Sequence, residues 1–391
     1  MTRWQYRHEL LGLCMLAFFV TFFARLAVSP VVPLIKDDFS VTNTQIGLGL
    51  AGMWLAYGLT QYPSGILGDR YGERRIVLVA VGGTTVFSLL LAVAPVFAVF
   101  VVCLVMLGSV AGLHYTVGTT YLSRTWDNMG FAVGIHSLGA PLAGLTAPVA
   151  TAWVGVQYGW RPALVLTALV GGPIFALFFF RTRPTPPRRP ERDMRSKFQL
   201  QPLLATISQK RVAFTLLIAI VATFVLQGLI SFLPTFLAAH QEQSTTLAGV
   251  FFAAYFLIRG GVQIGVGSLS DRIGPDFALS CCMLAGALGT FSILVEGSLL
   301  FVVVGIFLMG IGASFFPALD PRFLEHLSDA ERGTEFGLVR TVYGVLGGAG
   351  SVTVGVLADL FGWPASFAVL GALYFVAFCA LFCNWVFDLR Y

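Results

Sequence analysis

Apolar stretches about 20 residues long recur along this chain from end to end. As a helix rising about 1.5 Å per residue, each can cross a hydrocarbon core about 30 Å thick. Twelve are expected, near residues 9–35, 44–67, 75–94, 96–122, 129–155, 162–180, 211–239, 246–269, 277–296, 299–322, 335–358 and 365–387. Lipid offers no partner for backbone N–H and C=O groups, so stretches of this kind must satisfy them internally as helices. Composition agrees, with 57% hydrophobic and 11% charged residues among 391, more apolar than filling a soluble core requires.

The opening MTRWQYRHELLGLCMLAFFV sets basic residues ahead of an apolar run, as a signal peptide does. The run is too long and no small-residue cleavage site follows, so it reads as the first span. Cys14, Cys103, Cys281, Cys282, Cys379 and Cys383 all fall inside apolar segments, where they read as small hydrophobic fillers and not as a disulfide or metal framework.

Basic residues orient the chain. Nineteen of the 24 Lys and Arg residues fall on the face that carries both termini, nine of them between Arg181 and Arg211, against only Lys36 and Arg161 on the other face. Both termini are therefore expected in the cytoplasm, in a multi-pass protein of the cell (inner or plasma) membrane. The net charge of +5 follows from this bias, so the lipid bilayer, and no nucleic acid, is the expected macromolecular partner.

The chain also repeats itself. GILGDRYG from Gly65 matches GSLSDRIG from Gly267 at an offset of 202, and GFAVG from Gly130 matches GTEFG from Gly333 at 203. YGWRPA from Tyr158 against FGWPA from Phe361 keeps the same offset. The expected organisation is a six-helix bundle over 1–180, a Pro- and Arg-rich cytoplasmic linker over 181–210, and a second six-helix bundle over 211–391.

With twelve spans, this repeat, and GILGDRYGERR echoed by GSLSDRIGPDF, the chain resembles transporters of the major facilitator superfamily. The resemblance implies an all-α membrane protein of two pseudo-symmetric six-helix bundles. It also implies that Gly65, Asp69, Arg70, Gly72, Arg74, Asp271, Arg272 and Gly274 form a conformational latch in the outward-facing state. Physically, Asp69 and Asp271 end helices at the cytoplasmic surface, where a carboxylate accepts backbone or Arg hydrogen bonds and gains from a neighbouring helix N-terminus. Gly65 and Gly72 permit tight packing and a turn. The alternative for Arg70, Arg74 and Arg75 is topology alone. In the fifth span, GIHSLGAPLAGLTAP reads mainly as close helix packing, with only a loose likeness to the Gly-Pro motif of drug/proton antiporters.

Arg259, in AAYFLIRGGVQIG, lies twelve residues before Asp271 and so about 18 Å from the cytoplasmic helix end. Arg25, in FFARLAVSPVVP, lies sixteen residues after Glu9, about 24 Å along the first span. A mid-membrane arginine costs at least about 2.5 to 3.5 kcal/mol and needs a partner, water or ligand. No Asp or Glu lies deep in a first-half span, and only Asp320 approaches one in the second. Arg340 is shallower and reads either as a gating bridge to Glu335 or Asp320, or as a ligand contact. The repeat places Gln227, Tyr57 and Ser137 opposite Arg25, Arg259 and Arg340, so the shared scaffold does not require these arginines. A guanidinium fork suits carboxylate, nitrate, sulfonate or phosphate, and a small anionic substrate is expected. Tyr57, Gln61, Gln227, Tyr255 and Gln263 add hydrogen bonds there or act as interhelical glue. His114 and Tyr115 are the candidates from the fourth span.

ARLAVSPVVP and YGLTQYPSG are similar to the corresponding stretches of organic anion/cation symporters, which implies carboxylate binding by Arg25. An eighth-span Arg with an eleventh-span cation is similar to oxalate/formate exchangers, which implies roles for Arg259 and Arg340. Where those symporters carry protons on an Asp and a Glu, this chain has Ala24 and Ala111, and Leu104 replaces a fourth-span Arg common in proton-coupled members. Exchange or uniport fits better than symport by that route, with His114 and His136 remaining as candidate proton carriers. No zinc, nucleophile-elbow or phosphate-loop motif marks an enzyme or a cofactor site. The competing class, a proton-coupled exporter of drugs or other lipophilic compounds, calls for a buried carboxylate facing an apolar cavity. A monomeric carrier is expected, alternating access around a central site.

Overall fold

The structure, a computed structural model, describes residues 3–126, 129–187, 209–324 and 332–387, and almost all of them are helical. The first half comprises α1 (Arg3–Leu26), α2 (Val32–Phe39), α3 (Asn43–Tyr71), α4 (Glu73–Ala92), α5 (Phe97–Gly112), α6 (His114–Leu122), α7 (Met129–Ser137), α8 (Gly139–Tyr158) and α9 (Trp160–Arg181). The second comprises α10 (Lys210–Ala239), α11 (Thr245–Ile273), α12 (Pro275–Ser292), α13 (Leu299–Gly312), α14 (Phe316–Leu324) and α15 (Arg332–Val386). Most of the expected linker lies outside the described residues, as do the side chains of the GTEFG stretch, including Glu335.

Among the described residues, nine stretches are long and apolar enough to span on length and composition alone. The last of them, Val339–Val386, is two helices, because Gly362 turns the chain at φ 83° within α15. The more polar α3 and the shorter α12 complete twelve spans. Large apolar side chains such as Phe180, Ile264 and Leu300 stay exposed, the arrangement lipid requires.

Four spans that the apolar pattern reads as single helices are broken. α1 gives way to α2 through a 3-10 turn at Ser29–Val31, α5 to α6 at Leu113, α7 to α8 at Leu138, and α13 to α14 between Gly312 and Phe316. At each break the backbone tightens to i→i−3 bonding: the N–H groups of Val31, Leu113, Leu138 and Ser314 donate to Val28, Val110, Ile135 and Ile311. Pro30 and Pro33 explain the first break, since neither offers an N–H to the ladder.

The described chain forms two compact units, one of Met1–Val41 and Gly52–Phe198, the other of Thr42–Ala51 and Gln199–Tyr391. The repeat is visible in each. Gly72 and Gly274 start α4 and α12 at φ 88° and 110°, a conformation strained for a residue with a Cβ, and Gly159 and Gly362 repeat the device at 89° and 83°. In the first unit, a Cβ on Gly108 would overlap the Met53 backbone. In the second, 202 residues on, a Cβ on Gly310 would press on Ile258 and the Tyr255 carbonyl. α3 against α5, and α11 against α13, therefore approach through glycine as helices in lipid commonly do.

The start of α3 belongs to the second unit. Thr42 and Gln45 form a capping box, the Thr42 N–H donating to Gln45 Oε1 (2.9 Å) and the Gln45 N–H to Thr42 Oγ1 (3.2 Å). Asp359 of α15 takes the next two donors: Oδ1 accepts from the Asn43 N–H (3.1 Å) and Oδ2 from the Thr44 N–H (2.7 Å), with the side chains of both residues adding bonds. Asp359→Asn is expected to cost about 1 kcal/mol, the scale of a lost helix cap, read as a lower unfolding temperature in detergent; an unchanged temperature would show the cap to be redundant.

Candidate functional site

Arg25 stands on the last turn of α1, just before the Pro30 break, where unpaired carbonyls form the negative end of the helix dipole. It is 2% exposed, and its Nε donates to the Thr21 carbonyl at 3.1 Å. Its guanidinium carbon lies 3.8 Å from the centroid of Tyr57, 4.6 Å from Phe22 and 5.2 Å from Trp54. Helical spacing builds this box: Phe18, Phe22 and Arg25 share a face of α1, and Trp54 and Tyr57 share a face of α3. Arg25 Nη2 is buried without a hydrogen-bond partner, and among the described residues no carboxylate acts on the group. The aromatic faces supply cation–π attraction, and Nη2 keeps its hydrogen-bonding capacity unspent.

Arg259 lies on α11 in the other unit, half-buried, between Phe256 (6.0 Å) and Phe316 (5.9 Å). Its Nε is buried and unpartnered, and the groups acting on it are Tyr255 and Tyr374, both fully buried with hydroxyls lacking a partner. The Arg259 carbonyl accepts from Ser314 Oγ at 2.9 Å, tying this turn of α11 to the α13–α14 break. Under the repeat, Arg25 and Tyr57 correspond to Gln227 and Arg259, so each unit holds one of these cations, on opposite members of the equivalent helix pair. Gln227 Oε1 is also buried and unpartnered.

The remaining candidates divide. Gln61 and Gln263 are half-buried on α3 and α11, and no described hydrogen bond joins either side chain to an arginine. Arg340 is half-buried, hydrogen-bonds Tyr343 and acts by its charge on Asp320, whose Oδ1 is buried without a hydrogen-bond partner. His114 and His136 are fully buried, and Tyr115 is half-buried beside them.

Around the signature loop, Asp69 and Gly65 are half-buried, and Arg70, Asp271 and Arg272 are exposed. Arg74 is drawn to the end of α9, its Nε donating to the Thr182 carbonyl and hydroxyl at 3.0 Å each. A Cβ on Gly72 would overlap the Thr185 carbonyl, so the chain leaving α9 packs directly on the loop. Beneath the two loop copies lie two ion pairs that sequence reading misses. Fully buried Glu73 accepts from Arg124 Nε at 2.9 Å. Asp276 pairs with the buried Arg322, whose Nε also donates to Thr215 Oγ1 at 2.9 Å, while Asn384 Nδ2 donates to Asp276 Oδ2 at 2.9 Å. The repeat itself was the available signal, because both acids sit four or five positions after the loop aspartates.

A sequence profile of the Major Facilitator Superfamily matches residues 14–295 and 215–390. A probable sulfoacetate transporter of Cupriavidus necator is 29% identical over 46% of this chain, an alignment that spans only 42% of that protein. A probable 4-methylmuconolactone transporter of Cupriavidus pinatubonensis is 26% identical over 85% of this chain and 79% of its own length. A multidrug resistance protein of Salmonella arizonae is 24% identical over 69% of each chain. The solved structure of a bacterial homolog to the human lysosomal transporter Spinster, inward-facing and unoccupied, superposes with a TM-score of 0.84 at 16% identity, covering 96% of both chains.

Proposed function

The chain belongs to the major facilitator superfamily and is a multi-pass membrane transporter, and from that premise we propose that its cargo is a small organic or inorganic anion. The carrying observation is that each unit holds a mid-span guanidinium among aromatic rings, with a buried nitrogen lacking a partner and no carboxylate among the described residues acting on it. A buried cation in that state is stabilised by a ligand that brings negative charge and acceptor oxygens. The relative named for sulfoacetate, a sulfonate, and a hexuronate transporter of Bacillus subtilis, named for a sugar acid and 22% identical over 79% of this chain and 75% of its own length, support this reading. Arg25 and Arg259 are the primary ligands in it, Tyr57, Tyr255 and Gln227 supply further polar contacts, and Arg340 with Asp320 gates. The signature loop residues Asp69, Arg70, Asp271 and Arg272 latch the two six-helix bundles, 1–180 and 211–391, in one state of a monomer with cytoplasmic termini.

The likeness to the multidrug resistance protein supports a second reading, export of lipophilic compounds. The two are separated by thermal unfolding of the purified protein with sulfoacetate, D-glucuronate, nitrate or tetraphenylphosphonium. A ligand at a hundred times its Kd adds about 2.7 kcal/mol of stability. Dose-dependent stabilisation by an anion, lost in Arg25→Ala and Arg259→Ala, is the expected result. Stabilisation by tetraphenylphosphonium and by no anion would overturn the anion reading.

A further inference from the structure

A shallow groove of about 460 Å³ opens on the first unit where the ends of α4 and α8 meet the start of α9. It lies at the far end of α9 from Arg181, whose Nη1 is 2.8 Å from Glu9 Oε1 near the start of α1. Pro162, Val165, Leu166 and Leu169, spaced i, i+3, i+4 and i+7, set one face of α9 along the groove, and Ala92, Val93 and Val154 complete its apolar lining. Val93 and Leu169 stay 69% and 64% exposed, so lipid covers them. Trp153 and Tyr158, edge-on at 6.2 Å beside the groove, are the aromatic pair of a membrane interface. From that level the eight residues between Arg161 and Leu169 run about 12 Å into the hydrocarbon.

A charged pair stands at the mouth. Arg161, itself part of the lining, donates from Nη1 to Asp38 Oδ2 at 2.6 Å and from Nη2 to the Ala94 carbonyl at 3.4 Å. Its guanidinium carbon lies 4.3 Å from the centroid of Trp160, whose Nε1 donates to the same Asp38 oxygen at 3.3 Å. Arg161 Nε and Asp38 Oδ1 take none of these bonds, and both side chains keep 41% exposure. The fork and the carboxylate are thus fixed side by side at headgroup depth with capacity left on each. Their charges cancel, so an anionic headgroup would meet Asp38 as well as Arg161. A headgroup that carries both signs matches the pair.

We propose that this groove binds one phospholipid whose headgroup joins a phosphate to a primary ammonium, a phosphatidylethanolamine. Its acyl chain lies along Val165, Leu166 and Leu169, its phosphate accepts from Arg161, and its ammonium donates to Asp38. The site goes beyond cargo binding and uses neither mid-span arginine, so it stands or falls independently of the anion reading. Phosphatidylglycerol offers the phosphate without the ammonium. Phosphatidylcholine has both charges, but its quaternary ammonium has no N–H to donate. Headgroup preference therefore reports on the charged pair, and tight binding of any kind on the groove.

Native mass spectrometry of the whole protein, purified, delipidated and titrated with the three lipids bearing identical acyl chains, tests the proposal. The wild type is expected to hold one phosphatidylethanolamine roughly fivefold more tightly than either other lipid, the scale set by a half-exposed ion pair. Arg161→Gln/Asp38→Asn is expected to erase the preference. Val165→Trp, which fills the groove and leaves the pair in place, is expected to abolish the tight lipid. Equal binding of the three lipids by the wild type, or a preference for phosphatidylglycerol or phosphatidylcholine, overturns the proposal, and that arm needs no variant to fold. A preference that survives in the double variant, or a tight phosphatidylethanolamine that survives in Val165→Trp, places the lipid elsewhere and overturns the site.

Discussion

Arg25→Ala is expected to weaken anion binding by roughly tenfold to a few hundredfold, the range of about 1.5 to 3 kcal/mol carried by a hydrogen bond to a charged group. The same substitution is expected to leave the ligand-free protein as stable as before, or more so. Under the proposed function, burying the guanidinium among Phe22, Trp54 and Tyr57 is a cost that the fold bears and the anion offsets. Arg25→Lys keeps the charge but loses the planar fork and the stacking on Tyr57, so it should bind worse than wild type and better than alanine. Unfolding temperatures with and without sulfoacetate separate these outcomes. A variant that is destabilised without ligand yet keeps its full ligand shift would make Arg25 a structural residue.

Asp276→Ala should give the largest stability loss of any single change considered. It removes the carboxylate paired with Arg322, a side chain 3% exposed whose Nε donates to the Thr215 hydroxyl. Breaking a buried pair from one side costs about 3 to 5 kcal/mol, whereas replacing both partners with apolar residues of similar size is often neutral. Arg322→Met/Asp276→Leu is therefore expected to recover most of what Asp276→Ala loses. Glu73→Ala in the other copy should cost less, because Arg124 retains 22% of its side-chain exposure and can recruit water. Thermal unfolding of the four proteins in one detergent checks the order. Equal losses in the single and double variants at 276 and 322 would contradict it.

How much of this was visible in the sequence follows from how local each signal is. Membrane crossing depends on length and hydropathy alone, and the repeat on short identical stretches, so the spans and the 202-residue offset could be read directly. The helix breaks could not. Leu113 and Leu138 adjoin no proline, and their i→i−3 bonds belong to a packed bundle and not to a local propensity. Arg25 and Arg259 were conspicuous because charge in an apolar run has few structural excuses. The rings around them were not: Phe22, Trp54, Phe316 and Tyr374 look like ordinary packing residues until a cation is found beside them. Arg322 and Asp276 were hidden differently, since charges near cytoplasmic helix ends read first as topology signals.

Counterflow of labelled sulfoacetate or D-glucuronate in proteoliposomes measures whether the two mid-span arginines hold a negatively charged cargo. Anion accumulation by the wild type is expected, insensitive to tetraphenylphosphonium and absent in Arg25→Ala and Arg259→Ala. Accumulation of labelled tetraphenylphosphonium with no anion movement, unchanged by either substitution, would contradict it.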